Sequence, residues 1–317
     1  MHGRKSGRMK HKMEVIAMIT CRNYKHELGF NDDFMKVRDF LLDLGLNDVS
    51  PLNYDWVRWE WVYSLPYQDK ENLFRFGIWE DEGKIVGLAC YEDGLGTVFI
   101  NLHNDYYHLL EEMFDYALKH LHKDGVLQVA IPDNVKELQR IAMNKGFMAT
   151  QQKESDSVME IVPDQLSYKL PEGFIVTTLD ETHDLYKYNQ VLWRGFNHEG
   201  PAPVTDKDIE ERRVSLSSPH SDNRLKFAVM NPDGDFVSYA GLWYDPKNDY
   251  CVIEPAATDP DYRRMGLCRA AIYEGMKRCH ALGAKRCMVG SSQEFYYTIG
   301  FAPYQNRTYW TNKKHAR

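Results

Sequence analysis

The chain has 317 residues, 43% of them hydrophobic, and sets 39 lysines and arginines against 46 aspartates and glutamates for a formal net charge of −7. That balance lacks the basic footprint with which nucleic-acid-binding domains neutralise phosphates, and no apolar run approaches the ~20 residues of a membrane span. Six scattered cysteines without a CxxC pair or a metal-ligand spacing suit a reducing cytoplasm and give no metal site.

Residues 1–12, "MHGRKSGRMKHK", hold five Lys or Arg and no acid, and no apolar signal core follows them. They read as a disordered basic extension, with Met13 as an alternative beginning. In "NYDWVRWEWVYSLPY" the spacing of Trp56, Trp59 and Tyr63 predicts a helix with an aromatic face, Trp61 lying beside it. The favoured role of that face is packing in a core or between domains; a substrate-pocket wall is the alternative. "RFGIWEDEGKIVGLACYED" has the strand–turn–strand pattern of a hairpin. His120 and His122 in "HLHKDG" have no further spaced ligands and read as a wet helix end.

The second half repeats the first. "KFAVMNPDGDFVSYAGLWYDP" is a second hairpin, with Gly241 matching Gly87 at an offset of 241 − 87 = 154, and the "GF" ending at Phe301 matches the one at Phe147 at the same offset. A constant offset predicts duplicated domains of ordinary size: 13–161, a proline-containing junction at 162–174 ("VPDQLSYKLPEGF"), and 175–317. His198 and Glu199 in "WRGFNHEGPAP" are candidates for contacting an acceptor amine or for capping a turn.

"NDYCVIEPAAT" predicts a buried strand that stops at Asp259-Pro260, and "LCRAAIYEGMKRCHALG" a helix whose apolar residues include Leu267, Ala270, Ala271 and Met276 and which ends at Gly283. "RRMG" therefore occupies a strand-to-helix turn, where unpaired helix N–H groups and the helix dipole favour an anion. Neither GxxxxGK[ST] nor GxGxxG occurs in the chain.

The pattern Arg263-x-x-Gly266-x-Cys268 after a strand resembles the pyrophosphate loop, [Q/R]-x-x-G-x-[G/A], of the GNAT N-acetyltransferase superfamily. The resemblance implies an α+β mixed-sheet fold in two tandem copies. It implies acetyl-CoA as co-substrate, with Ala256, Ala257 and Thr258 on a splayed strand edge facing the pantetheine and Arg263, Arg264, Met265, Gly266, Leu267, Cys268 and Arg269 forming the diphosphate loop. Cys268 departs from the usual glycine or alanine. A thiol beside three arginines at a helix start is expected to have a lowered pKa and to be the most reactive of the six.

"CMVGSSQEFYYTIGFAPY" resembles the closing segment of the same superfamily, which implies Tyr296 as the group facing the CoA sulfur; Ser291 and Ser292 stand near where an asparagine is common. The first copy looks degenerate: its counterpart loop, "YYHLL", has His108 at the glycine's place, and Ala142 stands at the tyrosine's. Deprotonating an ammonium at neutral pH calls for a base, and Glu254, on the strand that would hold the thioester, is the candidate. These readings point to acetyl transfer to a small-molecule or peptide amine by direct attack in a ternary complex, with no nucleic-acid or membrane partner and a homodimer as one assembly open to the chain. The alternative is an acyl-CoA-binding module without turnover.

Overall fold

A computed structural model describes residues 19–27, 29–46 and 53–313. The basic segment 1–12 and Met13 lie outside the described residues. No helix among the described residues is long and apolar enough to cross a membrane.

The N-terminal half runs β1 (Thr20–Asn23), α1 (Asp32–Leu44), α2 (Trp56–Tyr63), β2 (Gly77–Asp81), β3 (Lys84–Cys90), β4 (Thr97–Leu102), α3 (Leu110–His120), β5 (Gln128–Pro132), α4 (Lys136–Asn144) and β6 (Met148–Glu160). The C-terminal half repeats that order with β7 (Ile175–Thr178), a short α5 (Leu179–Thr182), α6 (Leu185–Gly195), α7 (Asp206–Ser215), β8 (Lys226–Met230), β9 (Phe236–Tyr244), β10 (Tyr250–Thr258), α8 (Leu267–Leu282), β11 (Arg286–Val289), α9 (Glu294–Thr298) and β12 (Ala302–Thr311). Gly87 lies in β3 and Gly241 in β9, and each Gly-Phe pair follows the last helix of its half. The offset is thus carried by equivalent elements.

All the strands join in one mixed sheet, in the order β1-β2-β3-β4-β5-β12-β6-β11-β10-β9-β8-β7. The last strand of each half crosses into the other. β12 pairs antiparallel with β5, from Arg307 opposite Pro132 to Thr311 opposite Gln128, while β6 pairs with β11, Arg286 opposite Glu160. The boundary at residue 161 follows the chain rather than the sheet: Met148–Glu160 completes the C-terminal half, and Ala302–Thr311 the N-terminal one.

Three apolar cores pack on this sheet: a large one in the N-terminal half, one where α8 packs on Leu242, Cys251 and Ile253, and a smaller one where α6 packs on Phe236 and Tyr239. In the N-terminal half the α2 aromatics are buried, as their spacing requires: Trp56 is fully buried and Trp59 stacks on Phe34 at 5.4 Å. Trp56 also meets Trp243 of the other half edge-on at 6.4 Å. Around this contact the buried Glu60 accepts from Arg38 Nε at 3.1 Å and pairs with His220 Nδ1 at 2.6 Å, while Arg38 also pairs with Asp245. Charges so buried persist only when paired, so this network fixes how the halves meet.

Candidate functional site

The site grows from an irregularity in β10. Its register against β9 slips between Ile253 and Ala256, a β-bulge, and β11 follows it only from Tyr250 to Val252. Beyond Val252 the two parallel strands splay apart, and the β10 edge from Glu254 to Thr258 faces a gap. Gly241 makes the bulge possible. A Cβ there would stand 2.6 Å from the Glu254 carbonyl oxygen.

The chain leaves β10 through Pro260–Tyr262, a single 3-10 turn, and enters α8 at Gly266. Arg264 (φ +64°) and Gly266 (φ +79°) both adopt left-handed backbone, and no side chain caps the helix. Glycine takes that conformation freely; for arginine it is strained, a cost found where a loop has a shape to hold. The first N–H groups of the 16-residue α8 therefore remain open to an anion.

A cleft of about 520 Å³ follows this gap. Of the residues singled out in the sequence, it gathers Ala256, Ala257, Thr258, Arg263, Arg264, Gly266, Leu267, Cys268 and Tyr296. Met265 is exposed and Arg269 half-buried, both outside its lining. Arg269 Nη2 nevertheless lies over the loop, 3.6 Å from where a Cβ on Gly266 would be. Arg263 has a different task from the one expected. Its guanidinium donates to Thr258 O (3.1 Å), Gly195 O (3.0 Å) and Asn197 Oδ1 (2.6 Å), so it staples the loop to the end of α6.

The cleft's far wall was missed in the sequence: Gly195, Phe196 and Asn197 after α6, with Gln293 and Phe295 around the start of α9. Gly195 has no positive φ to announce it. It is required because a Cβ would approach Ala257 Cβ to 2.5 Å, so only glycine lets α6 come this close to β10. His198 and Glu199 lie just beyond, exposed, with His198 stacked on Trp193 at 4.0 Å. They stay outside the cleft lining.

Tyr296 is 7% exposed and packs against Phe295 and Phe301. Burial raises its phenol pKa, and the neighbouring Cys268 and Glu254 raise it further. It is thus held protonated at neutral pH. Cys268 reverses the expectation of a reactive thiol: burial pushes it up to about 11, with hydrogen bonds from Thr258 and Ser238 pulling the other way. Desolvation dominates because the thiol is buried against Thr258 and Ser238.

Glu254 sits at the bulge behind the cleft. Its backbone carbonyl accepts from Trp243 Nε1 at 2.7 Å, and burial pushes its carboxyl up to about 7, opposed by Arg58 and assisted by Glu92 and Asp55. It lines a separate cavity of about 30 Å³ between the halves, with Asp55, Arg58, Asp156 and Arg307 among the other walls. Arg58 pairs with Glu92 and, at 3.3 Å, with Glu154. Those two acids also line a wider cleft of about 750 Å³ on the N-terminal half, together with Asp69 and Asp93. No group of three or more potential ligands for a metal ion is found among the described residues.

Residues 184–301 match the model of the Acetyltransferase (GNAT) family. That segment therefore carries a GNAT-family match, and the chain as a whole shares the fold of two such domains in tandem. A tandem GNAT protein from the clavulanic acid biosynthesis pathway aligns over 93% of this chain and 98% of its own, at 13% identity and a TM-score of 0.58. A GCN5-related N-acetyltransferase from Sphaerobacter thermophilus aligns over 92% and 95%, at 14% identity and a TM-score of 0.53. No curated protein matches the chain. The GNAT match stops at residue 301, before β12, the strand given to the other half. It spans the bulge, the glycine loop and Tyr296.

Proposed function

We propose that this protein transfers an acetyl group from acetyl-CoA to a primary amine by direct attack in a ternary complex. The observation that carries the reading is the convergence, in one cleft, of the unpaired β10 edge at Ala256–Thr258, the glycine loop at Gly266 and the phenol of Tyr296. The diphosphate would lie on the α8 N–H groups with Arg264 and Arg269 over it, and the pantetheine amides along the free strand edge, which offers the hydrogen bonds that β11 leaves unmade. That places the thioester toward the splay, between Tyr296 and Glu254.

The roles of the two groups follow from their protonation. Glu254, raised to about 7, takes a proton from the ammonium of the acceptor; the free amine attacks the thioester carbonyl, the C–S bond breaks, and the second N–H proton passes to the departing sulfur, leaving the amide and the CoA thiol. Tyr296, with its pKa raised, hydrogen-bonds the departing thiolate rather than surrendering its proton outright. An amine acceptor is cationic, and the wider cleft next to Arg58 offers it Asp69, Glu92, Asp93 and Glu154 on its approach.

Thiol release from acetyl-CoA over a panel of primary amines tests the reading. Amine-dependent release supports it. Tight cofactor binding with no release for any amine would favour the non-catalytic acyl-CoA module instead.

A further inference from the structure

The cavity between the halves joins groups that the chain supplies 199 positions apart (254 − 55 = 199). Glu254 comes from the β10 bulge, and Asp55 from the residue that opens α2. Arg307, on the exchanged strand β12, closes the wall. Its side chain is 4% exposed; two of its nitrogens bind Glu154 (3.2 Å) and Asp156, but its buried Nε–H meets no partner in the protein. A space of about 30 Å³ with one unanswered donor and three carboxyls on its walls is sized and wired for a water molecule.

From this geometry we infer that Asp55 shares a proton with Glu254 through that cavity and is where the acceptor's proton leaves the site. The inference rests on Glu254 being the base, and it gives the degenerate half a part in the chemistry. The nitrogen's N–H bond breaks as a Glu254 oxygen takes the proton; Glu254 passes it to the water, and the water gives one of its own to the Asp55 carboxylate. Glu254 is again ionised, and the charge moved is one proton.

The surroundings fit a shared proton. Asp55 is faced by Arg58, Asp156, the Tyr250 hydroxyl and the Val57 N–H; Glu254 by Arg58, Glu92, Lys226 and Asp55 itself. Burial pushes both carboxyls up to about 7, and Asp55 raises Glu254 in addition. Two carboxyls that burial raises in the same direction can exchange a proton through a water either way. Asp55 also caps α2, accepting from Val57 N at 2.6 Å. Asparagine preserves such a cap while abolishing the titration.

The test is an infrared titration of protonated carboxyl groups in the free full-length protein, comparing wild type, Asp55→Asn and Glu254→Gln. The wild type should lose its buried-acid absorption near neutral pH in two overlapping steps. In Asp55→Asn the Glu254 step should stand alone and move down by about one pH unit. A purely structural Asp55 would leave that step in place, and an unmoved midpoint overturns the inference; Asp55→Ser, another good cap without charge, must agree. In turnover with glucosamine and spermidine as probe amines, Asp55→Asn should lower kcat about tenfold at unchanged KM for acetyl-CoA. Full activity of Glu254→Gln would remove Glu254 as base, and with it the reading beneath. Loss of activity in Glu254→Gln with an unaltered Asp55→Asn profile would remove the inference alone. If neither probe is acetylated, the titration decides.

Discussion

The two halves of the molecule fold by the same order of elements and differ most at the point where the paired parallel strands should part. In the C-terminal half β10 bulges over Gly241, leaves β11 after Val252 and opens a cleft. In the N-terminal half β4 runs beside β3 without a bulge, although Gly87 stands where Gly241 does. Its parting from β5 is filled from within: Asn53 Nδ2 donates to Ile100 O (3.1 Å) and Ala130 O (3.0 Å), and Tyr54 N–H donates to Asn101 Oδ1 at 2.9 Å. The chain enters α3 through Asn104–Leu109 without a left-handed residue, so no cradle forms at His108. The hollow that remains near His103 and Tyr106 sets Asp39, Asp43 and Asp105 against Lys36 and Lys84, a mixed lining without the glycine turn of the C-terminal cleft. A side chain where a cofactor would lie converts a binding fold into a scaffold.

That contrast can be broken at its chemistry first. Tyr296→Phe should lower kcat by ~10²–10⁴ with acetyl-CoA affinity nearly intact; Ala142 at the matching place in α4 shows that the fold itself does not need the phenol. Equal turnover in steady-state assays would reduce Tyr296 to packing. Next comes the loop. Gly266→Val places a branched side chain at φ +79° beside the anion cradle and should weaken acetyl-CoA by at least ~10²-fold in calorimetry, which for the wild type should give one site per chain. Two equal sites would end the distinction between the halves.

The plug sharpens the comparison from the other side. Asn53→Ala leaves two buried carbonyls unanswered and should cost about 2–3 kcal/mol in urea unfolding while leaving cofactor affinity unchanged. A smaller effect concerns pH. Glu254's folded pKa is raised above its unfolded value, so its contribution is intact below about 4.5 and is lost as pH rises through about 7. Glu254→Gln should therefore be more stable than wild type at pH 8, by roughly 1–2 kcal/mol, and not at pH 4. The smallest expected signal is in thiol labelling. Both Cys268 and Cys21 are pushed up to about 11, so access decides: the half-buried Cys268 should react with maleimide more slowly than the exposed Cys21, and mass mapping that finds Cys268 first would restore the thiolate.

Much of this site was legible locally. The arginine–glycine turn, the helix that ends at Gly283 and the tyrosine before Gly300-Phe301 are short-range patterns, and short-range patterns survive in sequence. Gly195 and Asn53 were not legible, since nothing beside them in the chain reveals which strand they will touch. The exchanged strands were hidden for a further reason. β6, "MATQQKESDSVME", is polar on both faces yet paired along both edges, so no alternation marks it as an inner strand. Cys268 misled because proximity to arginines is visible in sequence and burial is not.

The crossing of β6 and β12 also sets the order of events during synthesis. Arg307 must find Pro132 and Glu154, both made some 150 residues or more earlier, so the middle of the sheet stays open until β12 has been made. Until then β5 and β6 each hold a bare edge, and a message cut short before residue 302 releases a chain with both edges unanswered. Completion of the sheet therefore falls on Ala302–Thr311, the segment that also brings Arg307 to the cavity beside Glu254.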